Sequence, residues 1–323
     1  MAATTRSQVS RENTEFYNKT LLMRVVPLFL YGKFAQVKAQ ISSGAGTNRV
    51  RFRRYTNLTA ATTPLTEGTT PGGSQLAITT VEADCLQYGD FVTLTDVISY
   101  ETKDPILTET AQLQGDQAAD TADQLTREVL AASTAVIYSG TSNTALNEVA
   151  AGDVITTANI KTAVLALKNN NAKKITQTMN PTDGFNTQNI PAAFVAIIHP
   201  NISETVKAFT GFTKVENYPS QKGVMEGEIG TYWEVRFVET TNAKVHAAAG
   251  TGGIDVYSTM IFGMHAYGTA EIAGQALRFI VKGFESGGTE DPLEQRQTAG
   301  WKMNFIAKIL NNAFMQRIVS AVV

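Results

Sequence analysis

The stretch from Asp104 to Tyr138, DPILTETAQLQGDQAADTADQLTREVLAASTAVIY, most limits what this chain can fold into. Asp104 stands where a helix wants its N-cap, and Pro105 takes the first helical position, where a missing N–H costs nothing. Ser139-Gly140 offers a left-handed stop. Small or apolar residues recur at Ala111, Ala118, Ala122, Leu125, Val129, Ala132 and Val136. From Ala118 onward their steps are 4, 3, 4, 3 and 4, close to a 3.5-residue period. Glu109, Asp116, Asp120, Asp123 and Glu128 occupy the other faces. The spacing predicts a helix over 104–138, about 50 Å long at 1.5 Å per residue. Gly115 softens its middle by about 1 kcal/mol relative to Ala. The seam is thin and rich in Ala, so one face lies on a sheet or a partner. The acidic face is left for solvent or for something basic.

Charge along the chain is divided into blocks. The formal net charge of −2 does not mark a nucleic-acid binder. Residues 1–54, however, hold ten bases (Arg6, Arg11, Lys19, Arg24, Lys33, Lys38, Arg49, Arg51, Arg53, Arg54) against two acids. Residues 84–130 hold ten acids against two bases, Lys103 and Arg127. Two blocks so nearly equal and opposite pair either within one fold or between copies of the chain.

With 323 residues, 43% of them hydrophobic, the chain is long enough for one large domain or two intergrown ones. Only 17% are charged, and Thr, Ala and Gly are plentiful, a mix suited to sheets and long loops that meet other protein surfaces. A single cysteine, Cys85, excludes an internal disulfide framework and fits a reducing compartment. The first ten residues carry no apolar core of a signal peptide, and no run of apolar residues is long enough to span a membrane.

Residues 1–20 read as an extended polar arm. LLMRVVPLFLYGKFAQV reads as a helix to about Val26, broken by Pro27 and Gly32. Residues 44–83 read as a long hairpin. Its first strand, NRVRFRRYTNL, alternates Arg49, Arg51 and Arg53 with Val50, Phe52 and Arg54; a tip, ATTPLTEGTTPGGS, and a returning strand, LAITTVEADC, follow. Such a hairpin has little apolar surface of its own and needs something to lie on; it reads as an arm that reaches over an adjacent copy, with a mobile surface loop as the alternative. QYGDFVTLTDVISY reads as a short strand leading into the long helix. DVITTANIKTAVLALKNNNAKKI reads as a helix capped by Thr157 or Asn159. FVAIIHP is a fully apolar strand stopped by Pro200, ISETVKAF a short helix, and WEVRFVET, KVHAAA and LRFIVKG are further strands. This alternation predicts an α/β centre between about 141 and 275. WKMNFIAKIL and AFMQRIVSAVV, around Asn311-Asn312, read as a terminal hairpin in a sheet under the long helix.

The residues that carry chemistry are scattered. His199, His246 and His265 form no metal-binding spacing, and His199, before Pro200, suits a structural role. Gly44-Ala45-Gly46 and Gly250-Thr251-Gly252-Gly253 lack the context of a dinucleotide or phosphate loop, and no GxSxG is present. The reading therefore names no catalytic residue, metal or cofactor, and sets aside an enzyme of the central region. Arg49, Arg51, Arg53 and Arg54, interleaved with Phe52 and Tyr55, keep a nucleic-acid-binding module open as an alternative.

Several phrases in order carry a resemblance: TPLTEGTTP in the hairpin tip, QYGDFVTLTDV before the helix, AIIHPNI in the centre, then GEIGTYWEVRFVET and DPLEQRQTAGWK. With the basic arm, hairpin, acidic helix, α/β centre and terminal sheet, the chain resembles tailed-bacteriophage major capsid proteins of the Hong Kong 97 fold, in the N-four-like branch. The resemblance implies an α+β chain with an N-terminal arm (1–43), an E-loop (44–83), and a peripheral domain (84–140) built on a spine helix (104–138). It further implies an axial domain (141–275) and a return to the peripheral domain (276–323). It implies self-assembly as pentamers and hexamers into an icosahedral head enclosing double-stranded DNA. Further expected partners are scaffold, portal and cement proteins, with DNA held only by weak contacts and no membrane, in a virion capsid assembled in the host bacterial cytoplasm. A bacterial nanocompartment shell of the same fold is the related alternative. Residues 44–83 contain no Lys, so a lysine-to-asparagine weld from the loop, found in some members, is not expected. The expected subunit-interface residues are Arg49, Arg51, Arg53 and Arg54 of one copy against Glu109, Asp116, Asp120 and Asp123 of the next.

Overall fold

The computed structural model describes residues 29–42, 46–101, 106–176, 192–218, 225–274, 276–286 and 291–322. The expected arm over 1–20, the helix to Val26, and the capping pair Asp104-Pro105 lie outside them. In chain order, a single turn α1 (Tyr31–Phe34) leads to β1 (Val37–Ile41). The expected hairpin follows as β2 (Arg49–Tyr55) and β3 (Ile78–Asp84), antiparallel from Arg49↔Asp84 to Tyr55↔Ile78. Only Cys85 separates β3 from β4 (Leu86–Thr95), which is ten residues long and not the short strand expected. Next come α2 (Asp96–Glu101), α3 (Ile106–Ala131) and β5 (Val136–Tyr138).

The long helix thus stops at Ala131, short of the expected Tyr138, and its 26 residues span about 39 Å. Two local causes end it. Ser133 and Thr134 offer hydroxyls that compete with helical hydrogen bonding, and the Ser133 hydroxyl accepts from Ala135 N at 3.2 Å. Beyond them, β-branched Val136 and Ile137 fit an extended chain, and β5 pairs in parallel with a distant strand. The buried face of α3 also differs from the expected seam. Ala118, Ala122 and Leu125 do pack on the sheet beneath, but the fully covered positions are Thr110, Gln114, Ala118, Asp123, Thr126 and Leu130. Val129 is only half-buried and Val136 is not helical.

The centre follows as α4 (Thr157–Asn169), β6 (Phe194–Ile198), α5 (Pro200–Lys207), β7 (Thr213–Lys214), β8 (Glu228–Tyr232), β9 (Val235–Glu239), β10 (Val245–His246) and β11 (Val256–Phe262). The α4 cap is Thr156, not the expected Thr157 or Asn159, and its hydroxyl accepts from Asn159 N at 3.3 Å. The chain closes with β12 (Tyr267–Ile272), β13 (Leu277–Lys282), β14 (Arg296–Ile309) and β15 (Met315–Ser320).

Besides the two-stranded β2–β3 hairpin, the described residues form two sheets. A five-stranded sheet runs β1-β12-β14-β13, with β4 on the other edge of β14. An eight-stranded sheet runs β5-β15-β11-β6-β9-β8-β7, with β10 on β11. β14 and β15 therefore are not a hairpin: β15 leaves for the larger sheet, where it pairs with β11 and β5. The chain crosses between sheets three times, after α3, after β11 and after β14.

The larger sheet is covered on both faces, which is why FVAII reads as an unbroken apolar run. Phe194, Ala196 and Ile198 pack with Ile160, Val164 and Leu167 of α4. Val195 and Ile197 face the other way, onto Leu30, Tyr31 and Leu130. In the smaller sheet, α3 covers Trp301 and Met303 of β14. Gln114 Nε2 donates to Ala299 O at 2.6 Å, and Trp301 Nε1 donates to Gln117 Oε1 at 2.9 Å. Because strand residues alternate, Gly300 and Lys302 lie on the face away from the helix.

Candidate assembly surfaces

The hairpin stands off the body. Every residue from 53 to 80 is exposed, including Leu58, Leu65, Leu76 and Ile78, with Leu65 at 78%. Between its inner side and the junction of the two sheets lies a mostly apolar cleft of about 330 Å³, lined by Val37, Phe52, Val81, Leu310 and Phe314 with Arg53 and Arg54 at its edge.

The structure separates the expected interface residues. Arg49 grips Asp84 with Nε to Oδ1 at 2.6 Å and Nη2 to Oδ2 at 3.0 Å, and reaches Glu82 at 3.3 Å. Arg51 Nη2 lies 2.5 Å from Glu82 Oε1. The bond from Arg49 holds the Asp84 carboxyl below its ordinary pKa, and Asp84 raises that of Arg49. Within one chain the acidic partners of these two arginines are on the returning strand of their own hairpin, and both side chains stay more than half exposed. Arg53 and Arg54 have no ion pair among the described residues.

On the helix, Glu109 and Asp116 are half-buried. Asp120 and Asp123 turn inward to this chain's own centre, which corrects their placement on an open acidic face. Asp123 is 3% exposed. Its Oδ1 accepts from Tyr31 N at 2.7 Å, and its Oδ2 accepts from Asn242 Nδ2 at 2.8 Å. Burial raises the Asp123 pKa, and the bonds from Asn242, Gly32 and Tyr31 only partly offset that. Asp120 Oδ1 accepts from the same Asn242 amide at 3.3 Å.

Around this pin lie residues that the sequence reading missed. Arg127 Nη1 donates to Asn242 O at 3.1 Å and to Asn242 Oδ1 at 2.9 Å. Glu128 meets Lys244 at 2.6 Å and Arg127 at 2.7 Å. Burial works against the Glu128 carboxylate, but the bonds from Lys244 and Arg127 outweigh it and lower its pKa. One signal was available: Arg127 is one of only two bases in an otherwise acidic block. Its partner, the Thr241-Asn242 turn, is more than a hundred residues away, and no local pattern connects them.

His246, near this network, accepts or donates to Ser258 Oγ at 3.0 Å. Burial, followed by the charges of Arg317 and Lys244, lowers its pKa to about 4. The unfolded chain takes up this proton near 6.5 and the folded chain does not until about 4, so the unfolded state binds more protons between them. Stability is expected to fall as pH drops through that window, and His246→Asn is expected to flatten the dependence. Denaturant unfolding from pH 7 to pH 4 checks this; a wild-type slope unchanged in the variant would refute it.

Among the described residues no three His, Cys, Asp or Glu side chains come together as metal ligands, and no helix is long and apolar enough to cross a membrane. His199 caps α5, its Nδ1 accepting from Asn201 N at 3.2 Å.

Comparison with known proteins agrees with the resemblance. Residues 90–284 match the model of the phage capsid protein family, from β4 through β13. No curated protein matches the chain in sequence. Among solved structures, the capsid of Ralstonia phage GP4 is similar over 100% of this chain and 99% of its own, at 13% identity and a TM-score of 0.73. The capsid of cyanophage P-SCSP1u is similar over 97% of this chain and 94% of its own, at 16% identity and a TM-score of 0.66. That of cyanophage Pam1 covers 99% and 98%, at 15% identity and a TM-score of 0.66. With more than half of its length matched by the family model, and with the Hong Kong 97 type of α+β fold, this chain belongs to the phage capsid protein family.

Proposed function

We propose that the chain is the repeating unit of an icosahedral phage head, assembling as pentamers and hexamers around double-stranded DNA. One observation carries the reading beyond family membership: the β2–β3 hairpin exposes Leu58, Leu65, Leu76 and Ile78 and rests on nothing beyond its base. An isolated hairpin is marginal in water, so this one is completed by a neighbour. In this reading residues 44–83 act as the E-loop, α3 as the spine helix of a peripheral lobe, and the eight-stranded sheet with α4 and α5 as the axial lobe at the five- and six-fold centres. Cohesion comes from apolar area spread over many neighbours, since exposed ion pairs contribute only about 0–1 kcal/mol each. Arg53 and Arg54 remain available to a neighbour, whereas Arg49 and Arg51 are engaged at home. Portal and cement proteins are the further partners this role implies, with assembly in the host cytoplasm and only weak contact with DNA.

The test is direct. The full chain, expressed alone and purified, is expected to yield closed shells in negative-stain micrographs. A monomer that stays soluble and compact at high concentration would overturn the reading.

A further inference from the structure

We propose that the tip of the hairpin, Leu65 to Gly68, docks in the groove on the far face of another copy's five-stranded sheet, with Glu67 set between Arg278 and Lys302. The inference rests on the shell reading and adds to it a plug, a socket and the sign of the charge on each.

The socket follows from strand register. Phe91, Gly300 and Ile280 lie in one row across β4, β14 and β13; Gly89, Lys302 and Arg278 form the next, and Thr93, Thr298 and Lys282 the one after. All these residues point away from α3. The floor is bare backbone. A Cβ on Gly89 would lie 2.6 Å from Trp301 O, and one on Gly300 would lie 2.8 Å from Phe91 Cβ. The result is a groove of about 470 Å³ walled by Phe91, Ile280, Lys282 and Lys302. Phe91 is 67% exposed.

Its charge is unbalanced. Arg278 and Lys302 are direct cross-strand partners, and like charges so placed repel. Lys282 lies on the same face, and β4, β13 and β14 put no acid there. Asp291, which lines the adjoining groove beside Lys282, is buried and bound by Arg296 N at 2.8 Å and by Arg296 Nε at 3.7 Å. A carboxylate brought from outside relieves this repulsion. Nucleic acid is the poorer occupant, because Phe91 and Ile280 stand exposed beside the cations while protein–DNA interfaces are strongly polar.

The plug is built to match. Glu67 is the only charged residue between Tyr55 and Glu82. It sits at the crest of a turn closed by Thr69 N donating to Thr66 O at 3.2 Å, with Gly68 at φ +75°. This is the left-handed position that a type II turn requires of its third residue. Leu65, just before it, is the apolar partner for Phe91 and Ile280.

The occupant is a second copy because the tip faces away from its own groove. β3 runs into β4 through Cys85 alone, so Ile78 and Phe91 stand at opposite ends of a nearly continuous extended segment. That segment is about 40 Å long at 3.3 Å per residue, and the tip lies beyond its far end.

Charge exchange tests the pairing on the full chain. Glu67→Lys alone, and Arg278→Glu with Lys302→Glu, are each expected to lower shell yield by about tenfold or more, since a small repulsion recurs at every contact of the closed shell. Combining all three changes is expected to restore it. All variants should melt with the wild type, because the positions are at the surface. As a second readout, Leu65→Cys with Ile280→Cys should give oxidised chain-to-chain ladders in shells. Full yield for Glu67→Lys, no rescue on combination, or no ladders would overturn the pairing. If Arg278→Glu with Lys302→Glu fails while Glu67→Lys assembles, the face serves another anion and the plug is refuted. Wild type that makes no shells would instead refute the shell reading itself.

Discussion

A subunit in which an Asn-Gly turn joins Tyr55 directly to Ile78 is expected to fold normally and to form no shells. Tyr55↔Ile78 is the last rung of the β2–β3 ladder, so the cut removes only residues 56–77, all of them exposed. Asn-Gly supplies the two positive-φ positions that a tight antiparallel turn needs. Nothing buried is lost, and thermal stability should change by no more than about 0.5 kcal/mol. Assembly should fall much further than stability, by about a hundredfold or more in particle yield, because every subunit loses a cross-subunit contact at once. Sedimentation and electron microscopy read the yield, and circular dichroism reads the fold. Normal particles from the shortened chain would show that the hairpin is ornament. Unfolding would show that it is core. Either result defeats the picture of an arm completed by its neighbour.

The second large effect is expected at Asp123. Its carboxylate is the shared acceptor for the N-terminal segment at Tyr31 and for the Asn242 turn, so it ties α3 to two distant parts of the chain. Asp123→Leu keeps much of the volume but strands Tyr31 N and leaves Asn242 Nδ2 only its longer bond to Asp120. Each buried unsatisfied donor costs about 1–3 kcal/mol, so a loss of about 2–4 kcal/mol is expected, read as a melting temperature lower by about 5–10 °C. Asp123→Asn, which still offers one acceptor, should lose less. The pH dependence separates this from a packing defect. Burial raises the Asp123 pKa, so the folded state binds its proton more readily than the unfolded state does. Wild type therefore gains from this group as pH falls through the folded pKa, and Asp123→Asn does not. The gap between the two should widen on acidification. A gap that narrows would show that folding does not raise the Asp123 pKa, and a variant as stable as wild type would show that the carboxylate does not act as the pin.

Much of this arrangement was legible from local patterns. The hairpin announced itself by alternation on both sides of a Thr-, Pro- and Gly-rich tip, and β2 and β3 lie where that alternation placed them. FVAII reads as a fully apolar strand and is one, and the structure adds that it is covered on both faces. The α4 cap falls on Thr156 and not on Thr157 or Asn159, because all three are good caps by type and only the backbone decides which is extended. The long helix was overrun by seven residues for a different reason. Ala132 and Val136 keep the helical spacing, but the backbone of Val136–Tyr138 is claimed by β15, a strand nearly two hundred residues later. The terminal hairpin failed in the same way. Asn311-Asn312 is a proper turn, yet β14 and β15 find better partners in two different sheets.

The candidate surfaces divide along the same line. The sequence by itself determined which elements exist, that one arm lacks support of its own, and that the chain carries balanced blocks of opposite charge; each follows from short-range spacing and residue type. Only the tertiary structure decided where those charges are spent. Arg49 and Arg51 close on Glu82 and Asp84 because an antiparallel ladder sets them side by side, and Asp123 is taken by Tyr31 and Asn242 because three crossings fold the two sheets around α3. The physical reason is range: hydrogen-bond and packing preferences act over a few ångströms. A sequence states them between neighbours in the chain, while charge pairing is settled between neighbours in space.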